Sequence, residues 1–222
     1  MEDGKKMSKL NVLYEDNHII VVEKPINVLS QGDATGDLDL LSMVKNYVKV
    51  KYNKPGNVYI GLVHRLDRPV GGVMVFARSS KAAARLNKGQ LEHDFQKKYL
   101  AVVPSSIPDE GKFVDRLEKL GHGNTVVSKK GKEAILSYKV LQRNGKYALV
   151  LINLETGRHH QIRVQFASRG YPLYGDQRYG KVDGSQLALF AYQLSFTHPV
   201  SKNRMNFEVK PPKSGYWTKF TL

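Results

Sequence analysis

The 222-residue chain has no cysteine, which removes disulfides, thiolate metal sites and cysteine nucleophiles together. Long hydrophobic runs are missing too: Ile19 to Val22 and Ala148 to Ile152 are strand-length, far short of a membrane span. No Gly-x-x-x-x-Gly-Lys-Ser/Thr and no Gly-x-Gly-x-x-Gly occurs, so triphosphates and dinucleotides lack their usual cradle, and no Gly-x-Ser-x-Gly elbow points to a serine hydrolase. No Asn-x-Ser/Thr sequon is present, and the polar leader Met1 to Lys9 lacks the apolar core of a secretory signal. The expectation is a cytoplasmic protein with no membrane association. Acidic charge is scarce: Lys and Arg number 35 against 20 Asp and Glu, a formal net charge of +15, which points to a polyanionic partner.

What is present organises as one unit. Asn11 to Tyr14 and His18 to Glu23 read as strands joined by a turn at Glu15, Asp16 and Asn17. Lys24-Pro25 ends the second strand. Leu38, Leu41, Val44, Tyr47 and Val48 recur at helical spacing, predicting a helix over Leu38 to Val50 with Asp37 placed to cap it. Tyr59 to Val63 reads as a strand, Gly72 to Ala77 as another, and Ser79 caps a helix with Ala82, Ala83, Leu86 and Leu91 on its inner side. Tyr99 to Val103 is a strand. From Gly111 to Thr156 β-type runs alternate with turns at Gly121 to Asn124 and Arg143 to Lys146, the pattern of antiparallel hairpins. Gly157 to Arg169 carries Ile162 and Phe166 at helical spacing, and Leu187 to Phe196 and Asn203 to Val209 supply two late strands. The predicted fold class is α+β: residues 1–9 as a leader, then 10–222 as a single catalytic domain with a large mixed, mainly antiparallel β-sheet flanked by helices and loops.

Chemistry concentrates in two places. His64-Arg65-Leu66-Asp67-Arg68-Pro69-Val70-Gly71-Gly72 sets one carboxylate between two arginines ahead of turn-forming residues. Opposite charge nearby favours the ionised form, which can serve as nucleophile or base. Downstream, Gly157-Arg158-His159-His160-Gln161-Ile162-Arg163 precedes Gly170 to Gly180, concentrating basic, amide and imidazole groups between glycines. If 158–166 is helical, His159 and Arg163 share a face at i, i+4, and His160 and Arg163 are neighbours at i, i+3. Adjacent histidines cannot both face one ion from a helix, so no metal site is expected.

These motifs, with Leu13-Tyr14-Glu15-Asp16, Val22-Glu23-Lys24-Pro25, Lys98-Tyr99 and the strand from Leu187 to Pro199, make the chain resemble the RluA-type pseudouridine synthases from Leu13 to about Pro211. The resemblance implies isomerisation of uridine to pseudouridine in an RNA stem-loop, of tRNA or rRNA, with no cofactor or metal. It implies that Asp67 is the catalytic aspartate, which either attacks ribose C1′ or takes part in a deprotonation leading to a glycal. Either way an anion lies where C1′ develops oxocarbenium character. It further implies that Arg163 pairs with Asp67 through its guanidinium fork, and that Tyr99 is the catalytic active-site tyrosine, stacking on the target base and placed to serve in proton transfer. Arg65 would enter the RNA stack as the nucleotide flips out. Lys24 and His64 would be substrate-side contacts, and Leu189 an apolar wall under the base. The chain departs from the family pattern at Val70-Gly71-Gly72, usually Thr-Ser-Gly, and at His159 and Gln165, commonly Thr and His. The S4-type RNA-binding domain of larger members is expected to be absent, leaving RNA to be held by the catalytic domain of a monomer. The alternatives are an RNA-binding or RNA-folding protein with this fold and little activity, and a glycoside hydrolase, for which Asp176 in a Gly-Asp turn is the second acid on offer.

Overall fold

The computed structural model describes residues 10–222; the polar leader over residues 1–9 lies outside the described residues. In chain order the elements are β1 (Asn11–Glu15), β2 (Ile19–Lys24), α1 (Leu40–Lys51), β3 (Gly61–Leu62), β4 (Gly71–Ala77), α2 (Ser80–Leu91), β5 (Gln96–Pro104), β6 (Glu110–Lys119), β7 (Thr125–Val127), β8 (Lys132–Arg143), β9 (Tyr147–Leu154), α3 (Gln161–Ala167), β10 (Leu189–Thr197) and β11 (Arg204–Glu208).

Strand propensity and turn chemistry explain the first hairpin. Asp16 Oδ1 accepts the amides of His18 and Ile19 at 2.7 and 2.8 Å, closing the turn between β1 and β2. All strands join one 11-stranded sheet in the order β1-β2-β4-β10-β5-β9-β8-β6-β7, with β3 on β4 and β11 on β10. Pairing is antiparallel except between β10 and β4, where Phe190 lies opposite Gly71 and Ala191 opposite Gly72. Gly72 is required there: its φ is +126° and an added Cβ would sit 2.2 Å from the Ala191 carbonyl oxygen.

Both faces of the sheet are covered along the central strands. α1 and α3 pack on one side through Leu40, Val44, Ile162 and Phe166, against Ile20, Val22, Tyr99 and Ile152. On the other side α2 and the C-terminal turn carrying Trp217 pack against Ile19, Val21, Leu100 and Phe196. Hence β2 and β4 read as continuous apolar runs, as strands buried on both faces must. None of the described helices is long and apolar enough to cross a membrane.

The structure corrects several local expectations. Asp39, not Asp37, caps α1, accepting the Ser42 amide at 3.0 Å, and Asp37 instead pairs with Arg68 at 2.7 Å. Leu91 is 83% exposed at the end of α2, because its position puts it on the side of the helix away from buried Ala82 and Leu86. The strand expected over Tyr59 to Val63 is only β3. α3 begins at Gln161 rather than Gly157, since His160 adopts φ +51° and breaks the helical path. His159 and Arg163 therefore do not share a helical face.

Candidate active site

The β3–β4 connection carries Asp67 into a cleft of about 660 Å³. The loop is fixed from beneath. Ser30 Oγ donates to the Leu66 carbonyl at 2.7 Å and accepts the Leu66 amide at 3.0 Å, and the Val70 amide closes a turn onto the Asp67 carbonyl at 2.9 Å. Lys24, fully buried, donates to the Pro25 and Arg68 carbonyls at 3.0 Å each. Burial, only partly offset by nearby Asp67, pushes the Lys24 ammonium down to about 7. Lys24 therefore supports the loop and offers no surface to a substrate, which corrects the expected contact role. The sequence neighbours of Asp67 do not pair with it either: Arg65 is exposed and Arg68 reaches Asp37.

The partner of Asp67 comes from far along the chain. Arg163, 6% exposed on the first turn of α3, donates from Nη1 to Asp67 Oδ2 at 3.1 Å. Its Nε and Nη2 are taken by Asp176, at 2.9 and 2.8 Å. Burial opposes the charge on Asp176, yet the Arg163 bonds and the amides of Arg178 and Tyr179 hold its carboxyl below the ordinary range. Burial likewise opposes the guanidinium, and the two carboxylates raise it. The turn ahead of α3 is pinned by Gln161, whose Oε1 accepts the Arg158 amide and the Thr156 hydroxyl at 2.9 and 2.8 Å.

His160 places Nε2 3.5 Å from Asp67 Oδ2 and Nδ1 2.7 Å from the Tyr179 hydroxyl. His159 stacks on it, ring centroids 3.7 Å apart, with Nδ1 2.8 Å from Thr125 Oγ1. Tyr99 and Leu189, 8% and 5% exposed, line the same cleft from neighbouring central strands. Burial, then the Asp67 charge, raises the Tyr99 phenol above its ordinary value, so it is a neutral hydroxyl. His64 Nε2 accepts the Val75 amide at 3.1 Å, and burial followed by the Lys97 charge pushes the imidazole down to about 3. His64 is thus a neutral wall of the cleft whose Nε2 is committed to the backbone. Lys97, which the motif reading passed over, lines the cleft with Nζ on Gln90 Oε1 at 3.0 Å, and burial pushes it down to about 8. Strand periodicity carried that signal, since residues 97 and 99 share a face. Nothing local marked Asp176 as the anchor of Arg163. Among the described residues no group of three or more His, Asp or Glu is arranged to hold a metal ion.

Residues 18–168 match the family described as RNA pseudouridylate synthase. The chain is 34% identical over 224 residues to an uncharacterized RNA pseudouridine synthase of Aquifex aeolicus, covering 92% of this chain and 70% of that one. It is 34% identical over 229 residues to ribosomal large subunit pseudouridine synthase D of Neisseria meningitidis serogroup B, covering 93% of this chain but 59% of the relative. The solved structure of human RNA Pseudouridylate Synthase Domain Containing 4 superposes with a TM-score of 0.76 at 24% identity, over 91% of this chain and 89% of that one, and shares the fold. The chain belongs to the RNA pseudouridine synthases, of the RluA type read from its motifs.

Proposed function

We propose that the protein isomerises a uridine to pseudouridine in a stem-loop of ribosomal RNA. The observation that carries this reading is the Arg163–Asp67 contact of 3.1 Å inside a cleft that also presents Tyr99 and Leu189. The ribosomal preference draws on relatives named for the large ribosomal subunit, at 34% and 32% identity.

The C1′–N1 bond of uridine must break, the base must turn, and C5 must bond to C1′, giving up its proton while N1 gains one. A stacked base is out of reach, so the nucleotide flips into the cleft. Arg65, exposed on the Asp67 loop, is suited to fill the vacated place in the stack. Leu189 and Tyr99 then offer apolar and aromatic surface to the flipped base. Asp67, oriented by Arg163, acts at C1′ or in the deprotonation, a charge placed where positive charge develops. Lys97, Lys119 and Arg158 line the cleft as partners for phosphates.

Pseudouridine mapping of total RNA by carbodiimide labelling, from cells with and without the gene, tests the proposal. A site lost on deletion and restored by wild type but not by Asp67→Asn is the expected result. No lost site in any RNA would leave an RNA-binding protein with this fold.

A further inference from the structure

The Thr125 amide donates to the Tyr179 hydroxyl at 3.0 Å, so that hydroxyl oxygen is already an acceptor. Within the hydrogen bonds Tyr179 makes, its own proton has one place to go, His160 Nδ1 at 2.7 Å. A nitrogen that accepts carries no proton, so the neutral ring is protonated on Nε2. That N–H lies 3.5 Å from Asp67 Oδ2. Separately, the imidazole is pushed down to about 4 by burial, with Arg163, His159 and Arg178 opposing the pull of Asp67, and it stays neutral.

We propose that His160 is a positioning residue, held in its Nε2–H tautomer by Tyr179 and the Thr125 amide so that Asp67 sits between Arg163 and a neutral N–H donor. The setting fits the role. His160 holds a left-handed φ of +51°, an uncommon conformation for a residue with a side chain. His159, stacked on it and tied to Thr125 Oγ1, stops the ring from swinging away. The separation of 3.5 Å is longer than a hydrogen bond, as contacts at catalytic groups often are in substrate-free structures. A neutral donor orients the carboxylate without adding a second full positive charge that would quench it.

The inference rests on the reading of Asp67 as the reacting carboxylate, and its test separates the two. Nitrogen-resolved NMR of the substrate-free protein is expected to show His160 protonated on Nε2, and Tyr179→Phe to shift the ring toward a mixture of tautomers. An Nδ1-protonated ring in wild type, or a tautomer unmoved by Tyr179→Phe, overturns the proposal. These readouts need no turnover, so they hold even if Asp67→Asn stays active and the reaction reading fails.

Kinetics supply the second arm. Tyr179→Phe lowers kcat about tenfold, the worth of a hydrogen bond to a charged group, with KM for the RNA little changed. His160→Gln, whose amide reaches the Nε2 position, retains more kcat than His160→Asn, although Asn suits a left-handed backbone better. A merely structural role reverses that order, and Asn equal to or better than Gln refutes the proposal.

Discussion

Arg163 and Asp176 form a buried fork-to-fork pair, Nε to Oδ2 at 2.9 Å and Nη2 to Oδ1 at 2.8 Å, that leaves Nη1 to reach Asp67. With the guanidinium plane fixed by two parallel bonds, the direction of the third donor is set before any substrate arrives. The acid weighed earlier as a hydrolase's second carboxylate is instead the mount for the arginine.

Asp176→Asn leaves a charged guanidinium buried against a neutral amide. Removing one partner of a buried pair costs about 3–5 kcal/mol. Chemical denaturation is expected to show a loss of that size together with a fall in turnover, and an unchanged midpoint contradicts the mounting role.

Arg163→Lys keeps the charge but cannot hold Asp176 with two bonds and Asp67 with a third. Turnover should fall roughly 100-fold, as for loss of one oriented donor, while RNA affinity changes little. Single-turnover kinetics and filter binding on one transcript read the two effects separately.

Lys24 makes stability depend on pH with a definite sign. Its pKa is lowered from 10.5 to about 7 on folding, so between those values the unfolded chain binds the extra proton and rising pH stabilises the fold. Below about 7 both states are protonated and the stabilisation is absent. Lys97, lowered to about 8, adds in the same direction. Lys24→Met is expected to shrink the gain in denaturation midpoint between neutral and alkaline pH, leaving the share due to Lys97. A gain as large as in wild type would show that Lys24 does not titrate this way.

Gly72→Ala brings a Cβ to within 2.2 Å of the Ala191 carbonyl oxygen, at a φ of +126°. Both partners are backbone, so nothing cheap can move. The cost is roughly 4 kcal/mol or more, and the variant is expected to lose the cooperative melt of the wild type by circular dichroism.

Much of this was legible in local pattern. Alternation in the hairpins and the Ser79 cap depend on residues a few positions apart and appear where expected; α1 forms too, but it starts at Leu40 and buries Leu40, Met43, Val44 and Val48, with Leu38 exposed ahead of it. Asp67, Arg163, Tyr99 and Leu189 share one cleft as the motifs implied. What local pattern missed were long-range partnerships. Arg65 and Arg68 sit beside Asp67 in sequence, but the loop turns them away and an arginine 96 residues on takes their place. The lysine before Pro25 read as a substrate-side contact, because burial beneath a loop 44 residues away leaves no mark on its neighbours. His160 read as helical, but its backbone is left-handed and its imidazole lies among Asp67, His159 and Tyr179, residues far from it in sequence except His159.

β10 is nearly the last strand in the chain yet lies in the middle of the sheet, between β4 and β5. Without it, the segment bearing Asp67 and the segment bearing Tyr99 and Arg163 belong to separate half-sheets, one ending at β4 with its β3 pairing and the other at β5. Joining the two halves through residues 189–197 is a late, distant strand pairing, which favours slow folding. The contact between Arg163 and Asp67 thus spans two halves of the sheet that residues 189–197 tie together.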